Sequence, residues 1–239
     1  MDLKDNYKSF LSRAKEFIPS NRVYTDDLHC LAWGTDAGFY RKLPKIVIRT
    51  ASEEEVSKLL KIANEEKVPV TFRAAGTSLS GQAITDSVLL VAGKNWERYE
   101  VSPDGSTITL QPGLIGERVN EILKPYGRIF SPDPASKKSA MVGGIVMNNA
   151  SGMNCGTHAN SDRILLSMRI VMADGTVLDT GDESSREAFK RSHPTFIAKI
   201  EELRDRIAAD KELSDRIKYK YSIKNVTGLN IYPFVMFTD

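Results

Sequence analysis

Two stretches of this sequence are rich in glycine, hydroxyl and amide side chains, which are residues that can surround a cofactor. The first is Arg73-Ala74-Ala75-Gly76-Thr77-Ser78-Leu79-Ser80-Gly81-Gln82. Its small residues let the backbone turn tightly and point successive N–H groups inward, an arrangement that binds anions such as a pyrophosphate. The hydroxyls of Thr77, Ser78 and Ser80 add donors. A plain surface turn is the alternative interpretation of this composition.

The first stretch differs from the two common phosphate-binding patterns. A Walker A loop ends in Gly-Lys followed by Ser or Thr, and this triplet is missing here. The glycine spacing also differs from the GxGxxG dinucleotide fingerprint. Arg73, which stands directly before the small residues, could pair with a phosphate or with an internal carboxylate, and we favour the cofactor role.

The second stretch begins at Ser131-Pro132-Asp133-Pro134 and continues from Met141 to Gly156 as MVGGIVMNNASGMNCG. Two prolines stiffen its beginning. The recurring small residues would let a flat ligand lie against the backbone, and the asparagine amides could bond a heteroaromatic edge. A glycine-rich structural corner is the alternative for this stretch.

Strand and helix patterns place the first stretch directly after a predicted strand. The apolar runs 46–48, 69–72 and 88–91 predict strands, and 53–66 predicts an amphipathic helix that begins with a capping box of Ser52 and Glu55. Further predicted elements are a hairpin of 99–101 and 107–110 around Asp104-Gly105, helices 6–17, 114–123, 184–190 and 195–208, and strands 163–172 and 177–179.

The order R-x-x-G-T-S-L-S-G, P-D-P and V-G-G-x-x-x-x-N-A-S-G resembles the vanillyl-alcohol-oxidase/p-cresol-methylhydroxylase (PCMH-type) flavoproteins, in the D-lactate dehydrogenase and glycolate oxidase D-subunit branch. This resemblance covers residues 40–182. It implies an α+β fold, a PCMH-type FAD-binding domain made of two α/β subdomains, about 40–98 and 99–182, with FAD between them. Residues 1–39 would form an N-terminal extension, and 183–239 a helical segment leading to a missing substrate domain.

The resemblance also implies which residues contact FAD. Those around the pyrophosphate would be Arg73, Ala74, Ala75, Gly76, Thr77, Ser78, Ser80, Gly81 and Gln82. Those along the flavin, ribityl and ADP path would be Pro132, Val142, Gly143, Gly144, Asn148, Ser151, Gly152 and Gly156, with Ile170 at the adenine end. Covalent relatives carry a histidine where this chain has Thr77, and Ser139 lies near the place of a second linking cysteine. We therefore expect non-covalent FAD.

The implied function is that of an FAD-dependent oxidoreductase acting on CH-OH donors. It would oxidise a D-2-hydroxy acid of the D-lactate, glycolate or D-2-hydroxyglutarate type to the 2-oxo acid. The catalytic residues would lie in the missing C-terminal substrate domain, and an iron–sulfur module is a further expected partner, so the fragment alone should be inactive. The alternatives are a nucleotide-binding module without a redox role and an NADPH-dependent reductase of the same fold.

Composition narrows the partners and the location. A net charge of +2 gives no reason to expect nucleic acid, and no apolar run is long enough to predict a transmembrane segment. Cys30 and Cys155 do not suggest a disulfide framework, and no secretory signal is evident, so we expect a cytoplasmic protein with peripheral membrane attachment left open. Cys155-x-x-His158 lacks the second pair that a metal site would need, so no metal is expected.

Overall fold

The computed structural model describes residues 3–225 and 228–237 of the 239-residue chain. Two compact units share these residues. Unit 1 comprises Met1–Phe130, Pro134–Asn148 and Val171–Val177, and unit 2 comprises Ser131–Asp133, Asn149–Ile170 and Leu178–Asp239. Residues 1–2 of the predicted extension, and 226–227 and 238–239 of the predicted helical segment, lie outside the described residues. The division at 39 and 182 stays a prediction.

The main sheet of unit 1 has four strands: β1 (Val23–Tyr24), β2 (Ile46–Thr50), β3 (Val70–Arg73) and β4 (Val88–Ala92). Their order across the sheet is β1-β2-β4-β3. Strands β2 and β3 run parallel to β4, with Ile46 and Val70 both opposite Val88, and β1 is antiparallel to β2. The first glycine-rich stretch therefore leaves β3 at the carboxyl edge of the sheet, where open α/β sheets usually bind ligands.

Apolar residues cover both faces of this sheet because successive strand side chains point to opposite sides. One face packs Ile46, Ile48 and Leu90 against Phe10 and Leu59 of two helices. The other face packs Val47, Leu89 and Val91 against Tyr24 and Trp33. The inner strands are thus buried on both sides, which explains why the sequence shows continuous apolar runs there.

Unit 1 also contains the helices and the hairpin that follow the sheet. Its helices are α1 (Asp5–Ala14), α2 (Asp27–Ala32), α3 (Glu53–Glu65), α4 (Gly116–Leu123) and α5 (Val142–Met147). Its 3₁₀ turns are Ser20–Arg22, Lys94–Trp96 and Lys124–Tyr126, and its antiparallel hairpin joins β5 (Tyr99–Val101) to β6 (Ile108–Leu110). The hairpin predicted around Asp104-Gly105 is confirmed.

Unit 2 is mainly helical in its described residues. Its helices are α6 (Ser161–Ile164), α7 (Glu183–Ser192), α8 (Pro194–Ala209), α9 (Lys211–Tyr221) and α10 (Pro233–Met236). Asp182 and Asp210 cap α7 and α9 by accepting N–H bonds from Ser184 and Leu213. Strands β7 (Arg169–Val171) and β8 (Val177–Asp179), of which Val171 and Val177 are assigned to unit 1, form a two-stranded sheet.

Two sequence predictions need correction. Residues 163–172 were expected to form one strand, but only Arg169–Val171 does, because Ser161–Ile164 forms a helical turn. The capping box is confirmed in half: Ser52 Oγ accepts the N–H of Glu55, whereas the Glu55 carboxylate accepts the N–H of Ala51. Glu55 is displaced from the usual geometry because Arg22 binds the same carboxylate.

None of the helices within the described chain is long and apolar enough to cross a bilayer.

Arg22 and Glu55 form a two-pronged ion pair that ties α3 to the turn Ser20–Arg22. The Nη–Oε distances are 2.8 and 2.6 Å, and the two side chains are 17% and 16% exposed. Burial raises the pKa of Glu55, but the hydrogen bonds from Arg22 and from the Ala51 N–H outweigh it, so the pKa of Glu55 lies below its ordinary value. The folded chain therefore favours the ionised carboxylate.

We expect Glu55→Gln to lower the free energy of unfolding by about 1.5–3 kcal/mol at neutral pH, the range for hydrogen bonds to charged groups. Because folding lowers this pKa, the contribution is full above the unfolded-state value of about 4.3 and is lost as the pH falls through the folded value. Urea unfolding at pH 7 and pH 3 measures it. Glu54→Gln, which breaks an exposed pair with Lys58, is the control and should cost under about 1 kcal/mol. Equal losses in both variants would contradict this assignment.

Candidate functional site

The loop after β3 presents a row of backbone N–H groups without partners. Among the described residues, none of the N–H groups from Ala75 to Leu79 donates a hydrogen bond. The backbone here is half-buried from Ala74 to Ser78. A partly buried donor without an acceptor costs free energy, so an anion that accepts several of these N–H groups would be stabilised. This arrangement fits the diphosphate of a dinucleotide.

Two carbonyl groups of the same loop accept hydrogen bonds from a segment of the predicted N-terminal extension. The Ala37 N–H donates to the carbonyl oxygens of Gly76 and Ser78, at 3.1 Å in both cases. The Asp36 carboxylate accepts N–H bonds from Gly38 at 2.8 Å and from Gly81 at 3.0 Å. Sequence reasoning missed Asp36; an aspartate before small residues is a signal for a turn, but not for the loop that it contacts.

Arg73 lies beneath the loop. Its Nη1 donates to the Thr35 carbonyl oxygen at 2.6 Å, and its guanidinium carbon stands 5.2 Å from the centre of the Trp33 ring. Its Nε is buried and has no hydrogen-bond partner within the described chain. Burial lowers the pKa of Arg73, and nearby Asp36 opposes this shift. Arginine stays charged at neutral pH, so a positive charge lies next to the loop. Direct pairing of Arg73 with phosphate stays a prediction.

The hydroxyl and amide residues of the loop divide into two groups. Ser78 Oγ donates to Gln82 Oε1 and accepts the N–H of Ser80, while the N–H of Gly81 is taken by Asp36. These groups are used in hydrogen bonds that hold the conformation of the loop. Thr77 is half-buried, and its side chain makes no hydrogen bond to another described residue. Its hydroxyl can therefore serve a ligand together with the free N–H groups.

The second stretch contains a helix that sequence reasoning did not expect. Helix α5 begins where the Val142 and Gly143 N–H groups donate to the carbonyls of Leu114 and Pro112, at 2.8 and 2.9 Å. Its apolar residues Val142 and Ile145 are buried. Tertiary packing thus overrides the low helix propensity of two consecutive glycines.

The two glycines of α5 have different surroundings. A Cβ added to Gly143 would lie 2.6 Å from Pro112 Cβ, so this residue is explained by close packing. A Cβ added to Gly144 would meet only Ala74 Cβ, at 4.0 Å. Gly144 therefore leaves open surface beside the first residue after β3, and Asn148 at the end of the helix is exposed. Val142 is buried in a core cluster with Leu114 and Val119, and its contact with FAD stays a prediction.

One predicted site residue of unit 2, Gly152, lies in a tight backbone corner. A Cβ on Gly152 would lie 1.7 Å from the Asp133 carbonyl oxygen, so only glycine fits this approach. Cys155 Sγ accepts the Gly152 N–H at 3.0 Å and donates to the Ser131 carbonyl oxygen at 2.9 Å. Pro132 is buried, Ser151 and Ile170 are half-buried, and Gly156 is exposed with a φ of +57°.

The Cys155-x-x-His158 pair is a buried thiol beside an exposed imidazole. Its thiol is already engaged in two hydrogen bonds within the corner. Across residues 3–225 and 228–237, no group of three His, Cys, Asp or Glu side chains could hold a metal ion. The second glycine-rich stretch therefore contains both a packed corner in unit 2 and, in unit 1, the open surface at Gly144.

The fold is that of a PCMH-type FAD-binding domain. Residues 44–181 match the family model described as FAD binding domain, and the chain belongs to this family. The structure is similar to that of an alkyldihydroxyacetonephosphate synthase, with a TM-score of 0.64, 18% identity, and coverage of 78% of this chain and 38% of that one. It is also similar to p-cresol methylhydroxylase, with a TM-score of 0.62, 15% identity, and coverage of 76% and 38%. The predicted family and the predicted α+β fold class are confirmed.

Sequence relatives are dehydrogenases and oxidases of larger size. A D-2-hydroxyglutarate dehydrogenase from Haemophilus influenzae is 25% identical over 233 residues, which cover 85% of this chain and 23% of the relative. The glycolate oxidase subunit GlcD from Escherichia coli K12 is 29% identical over 179 residues, which cover 74% and 36%. The chain thus spans about a quarter to a third of the length of these relatives.

Proposed function

We propose that this chain is the FAD-binding part of a flavin-dependent dehydrogenase that oxidises a D-2-hydroxy acid to the 2-oxo acid. The observation that carries the proposal is the row of unpartnered N–H groups from Ala75 to Leu79, half-buried as far as Ser78, in a chain of the FAD binding domain family. The names of the relatives support the substrate class. When bound, FAD would supply the acceptor for the hydride that leaves C2 of the acid.

In this proposal the residues of unit 1 bind the diphosphate and admit a flat group. The N–H groups from Ala75 to Leu79 and the Thr77 hydroxyl donate to phosphate oxygens, while the Arg73 cation lowers the free energy of the bound anion. Gly144 keeps the surface beside Ala74 free of side chains. The other contacts that the family resemblance implies are Pro132, Val142, Gly143, Asn148, Ser151, Gly152, Gly156 and Ile170, and they belong to the same proposal.

We further propose that FAD is held without a covalent bond. The position where covalent relatives have a histidine is Thr77, whose hydroxyl is a poor nucleophile without an adjacent base. Both cysteines, Cys30 and Cys155, are free and buried. Burial raises the pKa of the Cys30 thiol, helped by nearby Asp26 and Asp27, so this thiol is also a weak nucleophile.

The oxidation itself is proposed to need residues outside these 239, because the relatives are about three to four times as long as the matched region. Substrate oxidation requires a base for the hydroxyl proton and a cation for the carboxylate. A substrate domain, and an iron–sulfur module as electron acceptor, are the proposed partners. Free, buried cysteines support a proposed cytoplasmic location, which does not exclude peripheral membrane attachment.

The proposal is tested by reconstituting the purified chain with FAD and measuring its visible absorbance after dialysis. We expect retained flavin bands that move to the supernatant on acid precipitation. Colour that stays with the precipitate would contradict non-covalent binding. A chain that stays colourless at saturating FAD would favour the nucleotide-binding module. Bleaching of the full-length protein by NADPH, and not by a D-2-hydroxy acid, would favour the reductase.

A further inference from the structure

The segment Thr35–Gly38, which we call the brace, lies before the residues that match the family model. It contacts the loop after β3 at several points. Ala37 donates to two loop carbonyls, and the Thr35 carbonyl accepts from Arg73. A Cβ on Gly38 would lie 2.6 Å from the Leu79 carbonyl oxygen, so the two backbones are in close contact. The brace therefore belongs structurally to the candidate site.

The brace determines which backbone groups of the loop are available to a bound anion. A carbonyl oxygen near a bound anion would repel it, whereas an N–H group attracts it. Because the Ala37 N–H engages the oxygens of Gly76 and Ser78, these carbonyls are held against the brace. The N–H groups from Ala75 to Leu79 stay without a partner in the described chain.

Asp36 connects the brace to the far end of the loop. One carboxylate oxygen accepts the N–H of Gly38 within the brace, and the other accepts the N–H of Gly81, 45 residues later in the sequence. A carboxylate beside an anion site would normally weaken anion binding. Here both oxygens accept backbone N–H bonds and the Arg73 cation is nearby, so the charge of Asp36 is offset locally.

We propose that Asp36 is a positioning residue for the diphosphate of the cofactor. By binding Gly38 and Gly81 at once it fixes the width of the loop, so that the free N–H groups converge on the phosphate oxygens. Asp36 itself does not touch the ligand. This inference rests on the proposed function, since it assumes that the loop binds the diphosphate of FAD.

The test compares ligands with and without phosphates, using the purified 239-residue chain. Affinities for FAD, ADP and adenosine are measured for the wild type, Asp36→Asn and Asp36→Ser. Asn offers one acceptor oxygen in place of two. Ser can keep the local turn bond to Gly38 but is too short to reach Gly81. Asp104→Asn is the matched control, because Asp104 accepts comparable turn bonds from Ser102 and Ser106 in the hairpin of β5 and β6.

We expect both Asp36 variants to bind FAD and ADP roughly 10-fold more weakly, the loss equivalent to one charge-assisted hydrogen bond. Adenosine affinity should not change, so the preference for ADP over adenosine falls. Asp104→Asn should keep the wild-type preference. A general loss of structure would weaken adenosine and ADP binding alike, so the ratio separates positioning from folding.

Other outcomes overturn the inference in recognisable ways. If both Asp36 variants keep the wild-type preference for ADP, Asp36 does not position the loop, and the proposed function stands. If adenosine and ADP affinity fall equally, the role of Asp36 is only structural. If wild-type chain binds FAD without preferring ADP to adenosine, the loop is not the diphosphate site. If wild-type chain does not bind FAD at all, the proposed function itself fails.

Discussion

Gly76→Val is expected to abolish FAD retention, with affinity lowered by about 100-fold or more, equivalent to about 2.7 kcal/mol. Gly76 has a φ of +74°, a conformation that β-branched residues rarely adopt. A Cβ here would also lie 2.3 Å from Nη2 of Arg73. Either the Arg73 side chain or the backbone must move, and both changes redirect the N–H groups of the loop. Flavin absorbance after reconstitution and dialysis measures the effect.

Gly127→Val is the matched control for this substitution. Gly127 has a similar φ of +64°, but a Cβ there would meet no atom within 4 Å. The control therefore introduces comparable backbone strain, about 1–3 kcal/mol, without changing the loop after β3. We expect it to lower the unfolding midpoint and to leave FAD affinity intact. Unchanged affinity in Gly76→Val, or equal losses in both variants, would contradict the assignment of the loop.

Local signals in the sequence predicted much of the fold. The runs at 46–48 and 88–91 were recognisable because both faces of these strands are buried. The helix from Glu53 was recognisable because Ser52 caps it in the expected way. The loop after β3 followed from the position of its small residues next to a strand. In each case the residues that form the sequence pattern are also the residues whose burial, capping or small size produces the local structure.

The remaining features of the site depend on contacts between distant parts of the chain. Asp36 binds Gly81 across 45 residues, and no local pattern indicates that pairing. Arg73 was favoured for a role at the cofactor, which stays a prediction; the structure adds that its guanidinium lies close to Gly76 and donates to the Thr35 carbonyl oxygen. Sequence identifies a cation next to a loop; it does not show on which side of the backbone the cation lies.

Helix α5 shows the same limit at the level of single residues. Gly143 and Gly144 are adjacent and identical in type, and the sequence predicted the same role for both. The structure separates them, because Pro112 fills the space at Gly143 and leaves it open at Gly144. Substitutions at these two glycines, which the sequence cannot distinguish, are therefore expected to have opposite effects on stability and on FAD binding.

Gly144→Leu is expected to keep the fold and lose the cofactor. A larger side chain here enters open space beside Ala74, and leucine favours helix over glycine by up to about 1 kcal/mol, so the unfolding midpoint should not fall. If a flat part of FAD lies on this surface, the new side chain occupies its place. We expect FAD affinity to fall at least about 10-fold, measured by flavin absorbance and by thermal unfolding of the same samples.

Gly143→Ala completes this test because it should have the reverse effect. The added methyl group meets Pro112 Cβ at 2.6 Å, and such overpacking costs about 1–3 kcal/mol. The unfolding midpoint should therefore fall, while the folded fraction still binds FAD, because the added methyl group meets Pro112 and the proposed contact of Gly143 with FAD is made by its backbone. If Gly144→Leu instead lowers the midpoint and leaves the flavin content per folded chain unchanged, Gly144 has a packing role like its neighbour, and α5 does not line the cofactor site.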